Sequence, residues 1–330
     1  MDETVSPQSH GTSSVSQGTR SVRRAMPWRR WDRQTRHNLR VAMLFILPWF
    51  IGLVLFTLYP MLASLYYSFT EYHPIKPTEW VGLRNYGAML TDKLFWVSLA
   101  NTLYMVLIGV PLTLFASFSC AVLLNLKVRG QSLYRVVYFL PSIVPVVAST
   151  MLWLWILNPQ VGILNTLLGK LGIDGPNWMR DPAWAKPSLI LLGLWGMGST
   201  IVIYLSGLQD VPLSLLEAAE LDGASWLRRL WHITIPMVSP ITLFALITGV
   251  IAMFQYFAQA YVFGSSSGSG TNLGAPLNST LFYSVYLYQV GFQFLRLGQA
   301  SAMAWVLFFI ILLCTLALLK LTGRFTYYAE

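Results

Sequence analysis

The stretch EAAELDGASWLRRLWHITIPMVSP, residues 217–240, decides how this chain is read, because acids, bases, small residues and prolines crowd together there in an otherwise apolar second half. Two short helices are expected from it. Val211-Pro212 supplies a proline at a helix start, where a missing N–H costs nothing, Asp222-Gly223 breaks the run, and Pro236 with Pro240 marks the return into lipid. In the first helix Glu217 and Glu220 are three apart and share a face, with Ala218 and Ala219 beside them leaving room for another surface to approach. In the second, Trp226, Leu227, Leu230 and Trp231 form an apolar stripe, with Arg228, Arg229 and His232 toward the other side. Spacing alone leaves two readings open: an amphipathic helix resting on a bilayer, or a docking element for a partner.

Working outward, the 330 residues are 55% hydrophobic and 11% charged, where a soluble domain carries about a quarter charged. An all-α, multi-pass membrane protein is expected. Six segments are long and apolar enough to cross a bilayer, at 41–69, 97–124, 133–157, 187–208, 237–263 and 300–321. The first contains Pro48 and Pro60 and is expected to be kinked. Cys120 and Cys314 both lie in apolar runs, which excludes a disulfide framework and a CxxC metal site.

The net charge of +9 is concentrated at the start: eight arginines, from Arg20 to Arg40, precede the first apolar run. That is a topology signal, not a nucleic-acid signal. Residues 1–40 are read as a basic, mostly disordered cytoplasmic extension, and 41–330 as the membrane domain. With the start inside, fifteen lysines and arginines fall on the cytoplasmic side and seven on the other, so both termini and the opening stretch face the cytoplasm. The outer loops 71–96, 158–186 and 264–299 are expected to be ordered. The Ser/Gly-rich part of the last, 264–276, is either a plain connector or a contact for a partner or substrate. Asn278-Ser279-Thr280 matches a glycosylation acceptor, which matters only in a eukaryotic secretory setting.

What is missing narrows the function. There is no GxxxxGK[ST] loop, so the chain cannot hydrolyse ATP by itself, and no HExxH; His10, His37, His73 and His232 all lie outside the expected spans. No catalytic or metal site and no cofactor of its own is expected. The spans are nearly free of Asp, Glu, Lys and Arg away from their ends, which disfavours a proton- or ion-coupled transporter. They hold uncharged polar and aromatic groups instead: Trp153, Trp155, Trp195, Ser199, Thr200, Tyr204, Ser206, Gln255, Tyr256 and Gln259. Trp195, Ser199, Tyr204, Gln255, Tyr256 and Gln259 are the candidates for contact with a neutral, hydroxyl-rich solute. Gln255 and Gln259, four apart, are expected on one helix face.

Glu217-Ala218-Ala219, Asp222-Gly223-Ala224, Ile235-Pro236 and Pro240 resemble the EAA signature of ABC importer permeases. The resemblance extends over most of residues 41–321 and is nearest to the carbohydrate-uptake group, with support from Gly82-Leu83-Arg84-Asn85-Tyr86, Asn101-Thr102-Leu103 and Gly207-Leu208-Gln209. It departs after the fifth span, where Ser and Gly residues are inserted and Ala275 replaces a glycine. The resemblance implies six transmembrane helices in the type I ABC importer permease fold. It also implies a second permease subunit, a separate ATPase dimer holding ATP and Mg, an extracytoplasmic solute-binding protein, and a place in a bacterial or archaeal cytoplasmic membrane. The ATPase-coupling loop would be 209–236, with Glu217, Ala218, Ala219, Asp222, Gly223, Ala224 and Pro236 as its working residues. The function implied is a permease subunit of an ATP-driven sugar or polyol importer. The competing readings are a secondary transporter or channel for a small neutral solute, and a membrane enzyme.

Overall fold

The computed structural model describes residues 33–75, 77–126, 129–266 and 273–322; of the expected basic extension, residues 1–32 lie outside them. The chain divides into two compact units, Met1–Tyr59 and Pro60–Glu330. In the first, α1 (Arg33–Leu53) carries Pro48 inside it and passes into a wide turn at Val54–Leu58. Its large apolar side chains point outward, Phe45 being 81% exposed, as befits a helix whose solvent is lipid.

The second unit begins in α2 (Tyr59–Ser68) and turns through a two-residue antiparallel pair, β1 (Thr70–Glu71) with β2 (Glu79–Trp80), Thr70 opposite Trp80. Then follow α3 (Arg84–Thr91), α4 (Lys93–Tyr104), α5 (Val110–Asn125), α6 (Gln131–Phe139), α7 (Val146–Ile156) and α8 (Ile163–Lys170). The chain continues through α9 (Pro182–Trp195), α10 (Gly198–Gln209), α11 (Leu213–Leu221), α12 (Trp226–Arg229), α13 (Ile235–Phe254), α14 (Ala258–Ser266), α15 (Tyr283–Tyr288) and α16 (Leu297–Thr322). Four helical runs are long and apolar enough to cross a membrane: His37–Ser68, Lys93–Asn125, Trp226–Phe254 and Leu297–Leu321. Two further pairs do so jointly, Gln131–Ile143 with Val146–Ile156, bent by 101°, and Pro182–Trp195 with Gly198–Gln209, bent by 51°.

Prolines explain most of the departures from straight helix. Wide turns at Val54–Leu58, Met105–Gly109 and Leu230–Thr234 each end two residues before a proline, namely Pro60, Pro111 and Pro236. In each, the N–H just before the proline reaches five residues back, Tyr59 to Val54, Val110 to Met105 and Ile235 to Leu230. A proline has no N–H and crowds the carbonyl four residues earlier; one extra residue in the turn relieves that clash and lets the helix continue. Pro236 and Pro240, expected to mark the return into lipid, therefore lie inside a continuous helix and do not begin a new one. The run from Trp226 to Phe254 is one helix. At Val144-Pro145 the proline wins instead, holding Val144 extended at ψ 131° and splitting the third span. The three loops expected on the outer side contain α3, α8 and α15; residues 267–272 of the Ser/Gly-rich loop lie outside the described residues.

Two apolar clusters hold the second unit together. One gathers Phe95, Met105, Phe254, Phe263, Phe282, Tyr283 and Met303. The other joins Ala121 and Leu124 of α5, Ile201, Leu205 and Leu208 of α10 and Val238 of α13, with Val211 and Leu216 at its edge. Gly198 lets α10 approach the end of α6: a Cβ there would lie 2.5 Å from the Tyr138 carbonyl oxygen.

Candidate functional site

The loop between α10 and α13 is a helix pair closed by a left-handed residue. Pro212 precedes the first helical residue, and α11 ends at Leu221 with Asp222 as its cap. Gly223 follows at φ +76°. Ala224 N–H donates to the Ala219 carbonyl at 2.9 Å and Gly223 N–H to Glu220 at 3.0 Å. This paired closure satisfies the last carbonyls of α11 and requires the left-handed conformation that glycine adopts without cost. Ser225 then starts α12, accepting from Arg229 N–H at 3.0 Å.

The two acids of α11 have separate fates. Glu220 reaches back across the turn to Arg229, Nη1 to Oε2 at 2.5 Å, bracing α11 against α12. Glu217 is exposed and makes no ion pair with any described residue. Ala218 is exposed, Ala219 and Ala224 half-buried, and Asp222 exposed, while Pro236 is half-buried inside the continuous helix. Leu221 is 90% exposed and Trp226 and Trp231 are also exposed, so the stretch is a protruding, two-faced handle. Its root is a cavity of about 160 Å³ walled by Asn125, Leu126, Leu208, Leu216, Trp226 and Arg229, among others. The ends of α5 and α10 and the start of the Trp226–Phe254 helix thus gather at one end of the unit.

The interior candidates separate. Gln255 ends α13 and Gln259 lies in α14, across a break at Tyr256-Phe257, so the two amides do not share a helix face. The four-residue spacing predicts a common face only if the helix is unbroken, and it is not. Tyr204 is 1% exposed, packed edge-on to Phe118 and hydrogen-bonded to Thr242. It belongs to the second core cluster. Trp195, at the bend between α9 and α10, packs edge-to-face on Trp153, centroids 6.3 Å apart. Ser199 is exposed just beyond that bend. Tyr256 packs edge-on to Phe282, and its hydroxyl, like Trp153 Nε1, is buried without a hydrogen-bond partner. Breaks in spanning helices, free amides and unpaired donors therefore concentrate around Trp153, Trp195 and residues 255–259.

Sequence reasoning gave no role to the polar clamp at the other end of α4. Asn101 donates to the carbonyls of Asn278 (2.8 Å) and Leu281 (3.0 Å) and accepts from Lys186 Nζ at 3.1 Å. Thr102 Oγ1 accepts from Tyr283 N–H at 2.9 Å. Asp92 caps α4 through Leu94 N–H and accepts from the Tyr286 hydroxyl. Burial, then that bond, pushes the Tyr286 phenol above its ordinary range. Lys186, read as a loop residue, lies inside α9 with its ammonium 4.7 Å from the Tyr104 ring centroid. In the neighbouring stretch Asn85 ties down the backbone at Ser68 and Thr70, at 2.9 and 2.8 Å. Asp92 and Tyr286 lie nearly two hundred residues apart, so no local pattern announces their pairing.

Residues 109–326 match the profile of the family described as "Binding-protein-dependent transport system inner membrane component". The chain is 40% identical over 300 residues to a probable ABC transporter permease protein, YesP, of Bacillus subtilis, covering 90% of this chain and 95% of that one. It is 33% identical over 298 residues to the sulfoquinovosyl glycerol transport system permease protein SmoG of Agrobacterium fabrum, covering 89% and 93%. It shares its fold with a chain in the crystal structure of a bacterial alginate ABC transporter in complex with an alginate pentasaccharide-bound periplasmic protein. The TM-score is 0.77 at 22% identity, over 92% of this chain and 100% of that one.

Proposed function

The chain belongs to the family of binding-protein-dependent transport system inner membrane components, and we propose from this that it is one of two permease subunits forming the path for a sugar or related polyol. A separate ATPase dimer, holding ATP and Mg, drives the path, and an extracytoplasmic binding protein delivers the solute. The relative named for sulfoquinovosyl glycerol and the fold neighbour crystallised with alginate support a carbohydrate. The asymmetry of basic residues supports cytoplasmic termini and a cytoplasmic α11–α12 pair in a bacterial or archaeal membrane.

The observation that carries the proposal is the protruding helix pair with Glu217 left free and α12 continuous with a membrane-crossing helix. Glu217 meets a basic group of the ATPase. Ala218 and Ala219 allow close approach, and Gly223 with the Glu220–Arg229 brace keeps the pair rigid. Closure of the ATPase dimer then moves α11 and α12 together, and the unbroken helix from Trp226 to Phe254 carries that motion into the bilayer. The solute meets Trp153, Trp195, Ser199 and residues 255–259. There broken helices free backbone groups, and unpaired Trp and Tyr donors can bond hydroxyl oxygens. Removing one member of a buried charge pair costs about 2–5 kcal/mol. Glu217→Ala is accordingly expected to weaken ATPase binding at least tenfold and to uncouple hydrolysis from uptake in reconstituted vesicles. Unchanged binding-protein-stimulated ATPase activity would remove the assignment.

A further inference from the structure

A second cavity, of about 240 Å³, lies between α6 and α10 and reaches toward the bends of both broken spans. Its walls are apolar through Ile201 and Leu205, and its polar groups are Arg135, Tyr138, Ser206 and Gln209. None of its lining residues is acidic. Arg135 Nε is buried and has no hydrogen-bond partner, and among the described residues no carboxylate lies within ion-pair distance of this guanidinium. The side chain as a whole is half-buried, and a desolvated, unpartnered Nε favours an anion or further acceptors that complete it.

The position of the cavity indicates the source of that anion. α6 starts at Gln131 and α10 ends at Gln209, one turn of helix from Arg135 and Ser206 respectively, and the protruding pair follows at Leu213. The arginine thus sits at the level where a spanning helix leaves the bilayer, on the face that carries α11 and α12. At the cavity mouth the lining residues Tyr138 and Val202 are exposed, as side chains beside acyl chains are. Arginine recognises phosphate in a bidentate fork, and basic pockets between spanning helices at this depth suit anionic headgroups.

We propose that this cavity is a binding site for the phosphate of an anionic phospholipid. Arg135 pairs with the phosphate, and Tyr138, Ser206 and Gln209 supply neutral hydrogen bonds. The occupant wedges between a bent span and the helix that leads into α11, so its presence stiffens the root of the moving pair.

Native mass spectrometry of the purified full-length protein in its assembly, in micelles of phosphatidylglycerol and phosphatidylcholine, tests this directly. Phosphatidylglycerol is expected to be retained over phosphatidylcholine, and Arg135→Gln to lower that retention at least about tenfold, the change carried by one charge-assisted hydrogen bond. Should Arg135→Gln fail to fold, Arg135→Lys, which keeps the charge and loses the fork, and Ser206→Trp, which fills the cavity from the other wall, must each reduce it. Equal retention of both lipids, or retention indifferent to all three substitutions, overturns the proposal. So does full competition by inorganic phosphate alone, which makes the site one for a free anion. Arg135→Gln changing the KM for solute while lipid retention stays intact places the arginine in the solute path and likewise overturns it.

Discussion

The two ends of the Pro60–Glu330 unit treat polar groups in opposite ways. At the end where α4 begins, Asn101, Thr102 and Thr280 are buried and each hydrogen-bonded, Asp92 and Tyr286 satisfy one another, and Lys186 finds an amide oxygen and a ring face. At the end carrying α11 and α12, Glu217, Asp222, Arg228 and His232 are exposed, and so are Leu221, Trp226 and Trp231. Buried polar groups are costly unless paired, and at the first end those just named are paired within this chain, whereas the nearby Ser279 hydroxyl is buried with no partner among the described residues. The second presents charge and apolar surface together, which is how a chain looks where another protein is to sit.

The contrast breaks most visibly at Asn101. Asn101→Leu leaves the Asn278 and Leu281 carbonyls without a donor and Lys186 without its acceptor. Stranding buried partners costs about 1–3 kcal/mol each, so a large fall in thermal stability of the purified protein is expected, whereas Glu217→Ala should leave the melting temperature unchanged while uncoupling transport. An Asn101→Leu protein as stable as wild type would show the clamp to be dispensable and dissolve the distinction between the ends.

Gly223 sharpens the other side. A Cβ there meets nothing within 4 Å, so any penalty comes from its φ of +76° alone. A β-branched residue in that conformation costs about 1–2 kcal/mol and reopens the turn that fixes α11 against α12. Gly223→Val is expected to lose coupled uptake, and Gly223→Asn, which tolerates the left-handed region, to keep most of it. Equal uptake by both variants would show that the turn's conformation does not matter to transport.

Much of the architecture was legible. Hydropathy located the four unbroken runs and the two bent pairs, because a bilayer imposes length and composition on each, though the fifth expected segment runs past the end of its helix at Phe254; the Asp222-Gly223 break matches the left-handed residue at Gly223. Three things were not. Pro236, read as marking the return into lipid, sits inside a continuous helix, and only the wide turn at Leu230–Thr234 shows how the backbone absorbs it. Gln255 and Gln259 carry a helical spacing across a place where the helix stops. The carbonyls that Asn101 ties down lie some 180 residues away and its lysine partner 85, and no local pattern encodes such contacts. Local chemistry thus predicted the protruding end well and the self-satisfied end poorly, since the first is built from neighbours in sequence and the second is not.

The smallest expected effect concerns the brace itself. Glu220 and Arg229 are 67% and 20% exposed in their side chains, and pairs with an exposed member contribute about 0.2–1 kcal/mol. Yet Arg229 also walls the cavity at the root of α12, and its Nε is buried without a partner. Arg229→Gln should therefore do more than Glu220→Gln. The double substitution should cost less than the two added together, because each single change already breaks the same contact. Coupling ratios, solute imported per ATP hydrolysed, are expected to fall only a few-fold and to become insensitive to added salt, where wild type declines as the pair is screened. Strict additivity of the two substitutions would mean that α11 and α12 move together through the Gly223 turn alone, with the ion pair an incidental surface contact.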